Sequence, residues 1–266
     1  MRNKLRPYLT AFRVRALLET QYRGAALGGL VTQAFFGLVY AYLYTAFFNG
    51  SDPAAQKATV TYVWLQQMFF RALFMSDGEF QQQILSGSLC YTLCRPVDHH
   101  LYWISRNLAA QIVGVAMRAA PMLLLQLIIP SEVRMALPAS PLALAQFVVS
   151  LLLGVFCVSQ IHAIGLAFTM KTLDHRGLSS MLALLLMTFS GNVVPLTLFP
   201  ESLQQLIRYQ PFAQVLDAPI RMYQSGQPMQ EWLLNLAVQL AWIAALWVLG
   251  RWLWARQLRS VTIQGG

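Results

Sequence analysis

Side chains able to do chemistry gather in three places along the chain. Cys90 and Cys94 stand one helical turn apart, and Asp98, His99 and His100 follow them. Thiolate, imidazole and carboxylate are donors that a zinc ion takes. Yet there is no C-x-x-C, and adjacent histidines turn their rings apart on most backbones, so loop residues are expected here and no metal. Ser159, Gln160 and His162 sit together in an apolar stretch. No Ser/His/Asp spacing accompanies them, so neither an activated nucleophile nor any catalytic residue is expected. A polar seam between packed helices is the better use of them. Arg118 stands in the middle of a third apolar stretch. A charge at a bilayer centre costs about 2.5–3.5 kcal/mol on insertion scales, so it faces a cavity or a partner, or snorkels back to the interface. No carboxylate occupies the centre of any apolar stretch. That counts against a proton-coupled carrier and against an intramembrane protease.

The elements that must position these residues are membrane helices. Of 266 residues, 57% are apolar and only 11% charged, where a soluble domain carries roughly 25% charged residues. Four charge-free intervals, Gly24 to Ser51, Met135 to Met170, Gly177 to Pro200 and Trp232 to Gly250, are each about as long as the ~20 residues a helix needs to cross a bilayer. Two weaker spans fill the gaps. One carries Arg71 near its end, and the other carries Arg106 near its start and Arg118 in its middle. Six spans are expected, near 25–48, 57–76, 102–129, 141–169, 178–198 and 230–250. With the N-terminus inside, only Lys57, Arg134, Arg208 and Arg221 of the basic residues fall outside and Arg118 within a span. The remainder lie inside, as the positive-inside rule requires. The net charge of +9 therefore needs no nucleic-acid partner. On the second span, Gln66 and Gln67 join Arg71 in a polar stripe, suited to a transport path, to a subunit interface, or to burial in the bundle.

The first 23 residues are basic throughout and lack the apolar h-region of a signal peptide. Leu5, Tyr8, Leu9, Phe12, Ala16 and Leu17 recur at helical spacing, so an amphipathic helix on the cytoplasmic membrane face is expected over 1–23. Most connections are short, but two are long. The inner one runs from Ser76 to His100 and opens Ser76-Asp77-Gly78-Glu79, a helix start. There Phe80, Ile84, Leu89 and Leu93 can share one apolar face, Gly87 divides the segment, and Arg95-Pro96 ends it. Such a segment either docks a soluble partner or packs on its own bundle. The outer connection, 199–229, contains Pro200, Pro211, Pro219 and Pro228 between apolar clusters too short to span. Two short helices dipping into the outer leaflet are expected, since irregular backbone must be buried or wet.

Three stretches carry a resemblance. The first is Ile84-Leu85-Ser86-Gly87-Ser88-Leu89, followed by Leu93-Cys94-Arg95-Pro96-Val97. The second is Ser190-Gly191-Asn192-Val193-Val194-Pro195-Leu196, running into Leu198-Phe199-Pro200. The third is Gln210-Pro211-Phe212, with Pro219, Tyr223 and Gly226 after it. In this order, between spans of these lengths, they resemble the ABC-2-type permeases, in particular the small six-span bacterial subgroup whose ATPase is a separate chain. The resemblance implies an all-α integral membrane protein with an ABCG-like exporter fold, a single permease domain over 1–266. Segment 1–23 would be its connecting helix. Segment 77–95 would be a coupling helix docking an ATPase through Glu79, Phe80, Ile84, Gly87 and Arg95. Segment 199–229 would be a re-entrant pair, with Asn192, Pro195, Pro200 and Phe212 at an outer gate. Arg118, Gln66 and Gln67 are candidates for the pathway or the interface with a second permease, identical or paralogous.

The chain has no G-x-x-x-x-G-K-S/T to cradle phosphates. ATP and Mg would therefore be held by the partner subunits. A bacterial cytoplasmic membrane, with both termini inside, is the implied location. The other classes consistent with the sequence are a non-transporting scaffold or assembly factor of the same fold and, more weakly, an ion-coupled carrier.

Overall fold

The computed structural model describes residues 5–21, 23–75, 78–172 and 176–260, with the backbone alone at Arg23, Ala25 and Ser260. Ser76 and Asp77 of the expected helix start lie outside the described residues. So do Arg2 and Lys4 of the basic N-terminal segment. The described residues form helices and no strands. The helices are α1 (Arg6–Gln21), α2 (Arg23–Phe48), α3 (Pro53–Phe69), α4 (Gly78–Leu85), α5 (Leu89–Leu93), α6 (His99–Leu125), α7 (Pro141–Thr172), α8 (Arg176–Phe189), α9 (Glu201–Arg208), α10 (Asp217–Ser225) and α11 (Met229–Ser260). Two 3-10 turns, Phe70–Leu73 and Leu196–Leu198, follow α3 and precede α9.

Among the described residues four helices are long and apolar enough to cross a membrane: α2, α6, α7 and α11. They match four of the six expected spans. The other two differ from expectation for local reasons. The expected span 57–76 is α3, which starts earlier because Asp52 caps it, its carboxylate accepting from the Ala55 amide, with Pro53 in the first turn. Its 17 residues rise about 26 Å before the 3-10 turn takes over. The expected span 178–198 is α8, whose 14 residues rise about 21 Å. It stops at Phe189 because Gly191 adopts φ +85°, and the Asn192 and Val193 amides fold back onto the Met187 carbonyl. Pro195 then caps the following 3-10 turn in an extended conformation.

The largest core cluster gathers α3 with parts of α2, α6, α7, α8, α10 and α11. Helix α3 is its axis: from Thr59 to Phe69 every residue is buried. A helix hidden on all sides carries its few polar groups inside, and that is why a hydropathy pattern reads it as weak. Trp64 fixes α3 to α2. Its ring fills the space left by Gly37, where an added Cβ would come within 2.7 Å, and its Nε1 donates to the Val133 carbonyl at 2.7 Å.

A second cluster lies at one end of the bundle. Phe80, Leu89, Trp103, Leu166, Met170, Leu253 and Trp254 form it. The Phe80 ring meets Trp103 edge-on at 4.7 Å, and Trp254 Nε1 donates to the Ala163 carbonyl at 2.8 Å. Helix α1 packs lengthwise on α6. The Asp98 amide donates to the Tyr8 hydroxyl at 2.9 Å, while Ala11 and Arg15 are buried. Leu5, Leu9 and Leu17 remain exposed on its other side. On α2, Val31, Phe35, Leu43 and Phe47 also point outward, an apolar surface suited to lipid.

Candidate functional site

Three groups of candidate residues fall at three places in this bundle. The first is the α4–α5 pair. Gly87, at φ +69°, turns the chain between the two helices, a conformation that glycine adopts without strain. The shared apolar face expected of Phe80, Ile84, Leu89 and Leu93 exists, but it is turned inward onto the second cluster. Phe80 is fully buried. This corrects the assignment of Phe80 to a docking surface, since the aromatic pocket made by Trp103 and Trp254 encloses it, whereas Ile84 is half-buried against the same cluster. Glu79 also points back into the bundle. It pairs with Arg106 of α6 and lies 3.8 Å from Arg15 of α1. Gln83 donates to Glu79 at 3.2 Å, and Thr92 of α5 donates to Gln83 at 3.1 Å. What the pair presents outward is Leu85 and Tyr91, 68% and 76% exposed, with Gln82, Ser86 and Arg95. The sequence carried no signal separating Leu85 and Tyr91 from the inward Ile84 and Leu93, which are equally apolar and lie in the same short segment.

The second place is a cleft of about 540 Å³ beside this pair, lined by Arg15, Glu19, Arg71, Glu79, Gln82 and Arg118 among others. Arg15 pairs with Glu19 at 2.7 Å. Arg71 donates to the Phe74 carbonyl at 3.0 Å. Arg118 reaches back toward the start of its helix, to the Gly114 carbonyl at 3.5 Å. Glycines make room for both side chains. An added Cβ at Gly29 would lie 2.9 Å from Arg118 Nε, and one at Gly114 would lie 3.2 Å from Arg71 Cγ. The mid-span position expected for Arg118 needs correction. Helix α6 begins at His99; α1 packs along it, and Glu79 and Phe80 of α4 meet Arg106 and Trp103 in its first turns. The guanidinium therefore meets α2 at Gly29, about 9 Å from Arg23 along the helix and close to where the charge-free run of α2 begins.

The third place is the opposite end. Asn192 and Pro195 are buried and Phe212 half-buried. Phe212 stacks on Phe189 at 6.2 Å. Pro200 is exposed at the start of α9, apart from the other three. Beneath this turn lies a constellation that sequence reading passed over. Asp217 of α10, fully buried, pairs with Arg221 at 2.7 Å and accepts from the Tyr62 hydroxyl of α3 at 3.2 Å. A Cβ at Gly191 would run into the Tyr62 hydroxyl. The signal was present as an Asp and an Arg spaced i, i+4, but it lay in an outer connection whose two expected short helices were read from their prolines and apolar clusters alone.

The polar seam joins helices in the interior. Gln111 of α6 meets His162 of α7 at 3.0 Å, and Gln160 donates to the Ile243 carbonyl of α11 at 3.1 Å. Gln239 donates to the carbonyls of Ser150 and Gln214, each at 3.1 Å. Gln66 and Gln67 are buried on α3, which fits their third expected use, inside the bundle.

Residues 29–265 match a family model described as ABC-2 family transporter protein. No curated protein matches the chain.

Proposed function

The chain belongs to the ABC-2 transporter family, a multi-pass membrane component that is not itself the catalyst, and from that premise we propose that it is the permease subunit of an ATP-driven exporter. The α4–α5 pair carries this reading. It stands at one end of the bundle, is held to α1 and α6 through Glu79, Arg106 and Arg15, and is bolted to α6 and α11 by Phe80 between Trp103 and Trp254. A load applied to its outer face would pass into two membrane helices without bending the pair, because both its charged and its aromatic contacts are inward. Leu85 and Tyr91 are the exposed apolar anchors that such a load needs.

In this reading 77–95 is the coupling segment, α1 within 1–23 is the connecting helix, and 199–229 closes the far side, all within one permease domain over 1–266. A separate nucleotide-binding subunit docks on Leu85, Tyr91 and Arg95 and holds ATP and Mg. A second permease, identical or paralogous, completes the pathway. Both termini are cytoplasmic, and the membrane is the inner membrane of a bacterium. The basic residues of the α4–α5 end and of α1 and α11 support that orientation.

The test is co-purification. The tagged chain should bring down an ATPase encoded beside it, and Leu85→Asp with Tyr91→Asp should release that subunit while the chain stays folded in the membrane. An ATPase that remains bound with full activity in the double variant would refute the docking face. Absence of any ATPase from the wild-type preparation would favour a scaffold over a permease.

A further inference from the structure

We propose that the cleft between α1, α2, α4 and α6 is a binding site for a phosphate-bearing anion, with Arg118 as its central contact. Among the described residues, arginines outnumber carboxylates in the lining of this cleft. Arg15, Arg71 and Arg118 face it together with two carboxylates, Glu19 and Glu79. Both carboxylates are engaged elsewhere: Glu19 binds Arg15, and Glu79 binds Arg106. Among the described residues Arg118 has no carboxylate within ion-pair distance. Its Nε is buried without a hydrogen-bond partner, and among the described residues its one hydrogen bond is to the Gly114 carbonyl at 3.5 Å. A half-buried guanidinium in this state presents a planar fork of donors into a cavity large enough for a phosphate group.

The space is maintained by backbone. Gly29 and Gly114 stand where any side chain would press on Arg118 or Arg71. The surroundings suit a lipid as the bearer of the phosphate. Leu18 of α1 and Ala26 of α2 line the cleft, and their chain neighbours Leu17 and Leu27, with Val31 one turn on, are exposed apolar residues. Acyl chains lying on that surface would place a headgroup at the depth of Gly29. A soluble phosphate ester offers the same group to the same donors. The site rests on the permease reading only for which leaflet it faces, and binding is measured without transport or ATPase.

The purified full chain in micelles of a non-ionic, phosphate-free detergent provides the test. Phosphatidylglycerol added to the micelles and inorganic phosphate in the buffer are the two probes, and thermal unfolding is the readout. Phosphatidylglycerol is expected to raise the midpoint by about 2–4 °C, as a ligand held by the native state does. The Arg118→Gln variant should lose that shift. Arg118→Lys preserves the charge and tests the same point where the Gln variant does not fold. Loss of the bidentate fork should weaken its phosphatidylglycerol affinity about tenfold. Arg13→Gln, on the exposed side of α1, should retain the wild-type shift. A shift produced equally by inorganic phosphate assigns the site to a soluble phosphate ester. No shift with either probe overturns the proposal. So does undiminished affinity in the Lys variant, or an equal loss in Arg13→Gln, which would reveal general electrostatic attraction.

Discussion

The two ends of the bundle solve opposite problems with the same few residue types. At the α4–α5 end, arginine and glutamate from α1, α4, α6 and the 3-10 turn after α3 meet around a cleft, and an aromatic cluster beneath them holds short helices to long ones. At the α9–α10 end, the chain is broken by Gly191, Pro195 and Pro200, α9 has no buried residue, and a buried aspartate, paired with an arginine of its own helix, meets a tyrosine of α3. At the first end charged and aromatic contacts together hold the short helices to the long ones. At the second, the buried polar contacts centre on Asp217, beside apolar packing of α10 on α3 and α7.

Breaking the contacts of Asp217 should cost most. Asp217→Ala leaves Arg221 buried without its counter-charge, and removing one partner of a buried pair costs about 3–5 kcal/mol. Thermal unfolding in a fixed lipid environment measures it. A loss below that of Phe80→Ala would mean the outer end is not held by this pair. At the other end Phe80→Ala empties the pocket between Trp103 and Trp254, with an expected cost of about 3–4 kcal/mol. It should loosen α4 first, read as faster amide exchange over Gly78–Leu85 than over α7. Gly191→Ala places a methyl group against Tyr62 at a positive φ, and strain of this kind costs about 1–3 kcal/mol. Pairing it with Tyr62→Phe, which removes the hydroxyl, should recover part of the loss in a double-mutant cycle. Full additivity would show that the clash is not with Tyr62. The smallest expected effect is Leu85→Ala, within about 0.5 kcal/mol of wild type in stability yet reducing stimulated ATPase turnover of the complex. Equal turnover would move docking away from this face.

How much was legible in the sequence follows from what each feature depends on. The long helices α2, α6, α7 and α11 could be read because a bilayer excludes charge over a fixed length, and that constraint is local. The division of the α4–α5 segment at Gly87 was legible for a similar reason, since a positive φ is a property of one residue. Helix α3 and Arg118 were harder. A helix in the middle of a bundle can carry Gln66, Gln67 and Arg71 because neighbouring helices, not lipid, surround it. Arg118 looked central because the first turns of α6 were counted as membrane, when α1 and α4 pack against them. The end of α8 was misjudged because the apolar run continues past Phe189 while the backbone turns at Gly191.

By itself the sequence determined the class of this protein. The scarcity of charge required a membrane, the uncharged runs required helices, and the order of three short motifs pointed to the family. Which face of each helix does what was decided by the tertiary structure alone. Phe80 and Tyr91 are both aromatic residues in one short segment, and nothing local distinguishes them. Trp103 and Trp254, from α6 and α11, bury one and leave the other in water. Asp217 and Tyr62 lie far apart in the chain and become a pair only when α10 folds against α3. Burial and pairing are properties of neighbours, and neighbours distant in sequence are chosen by packing.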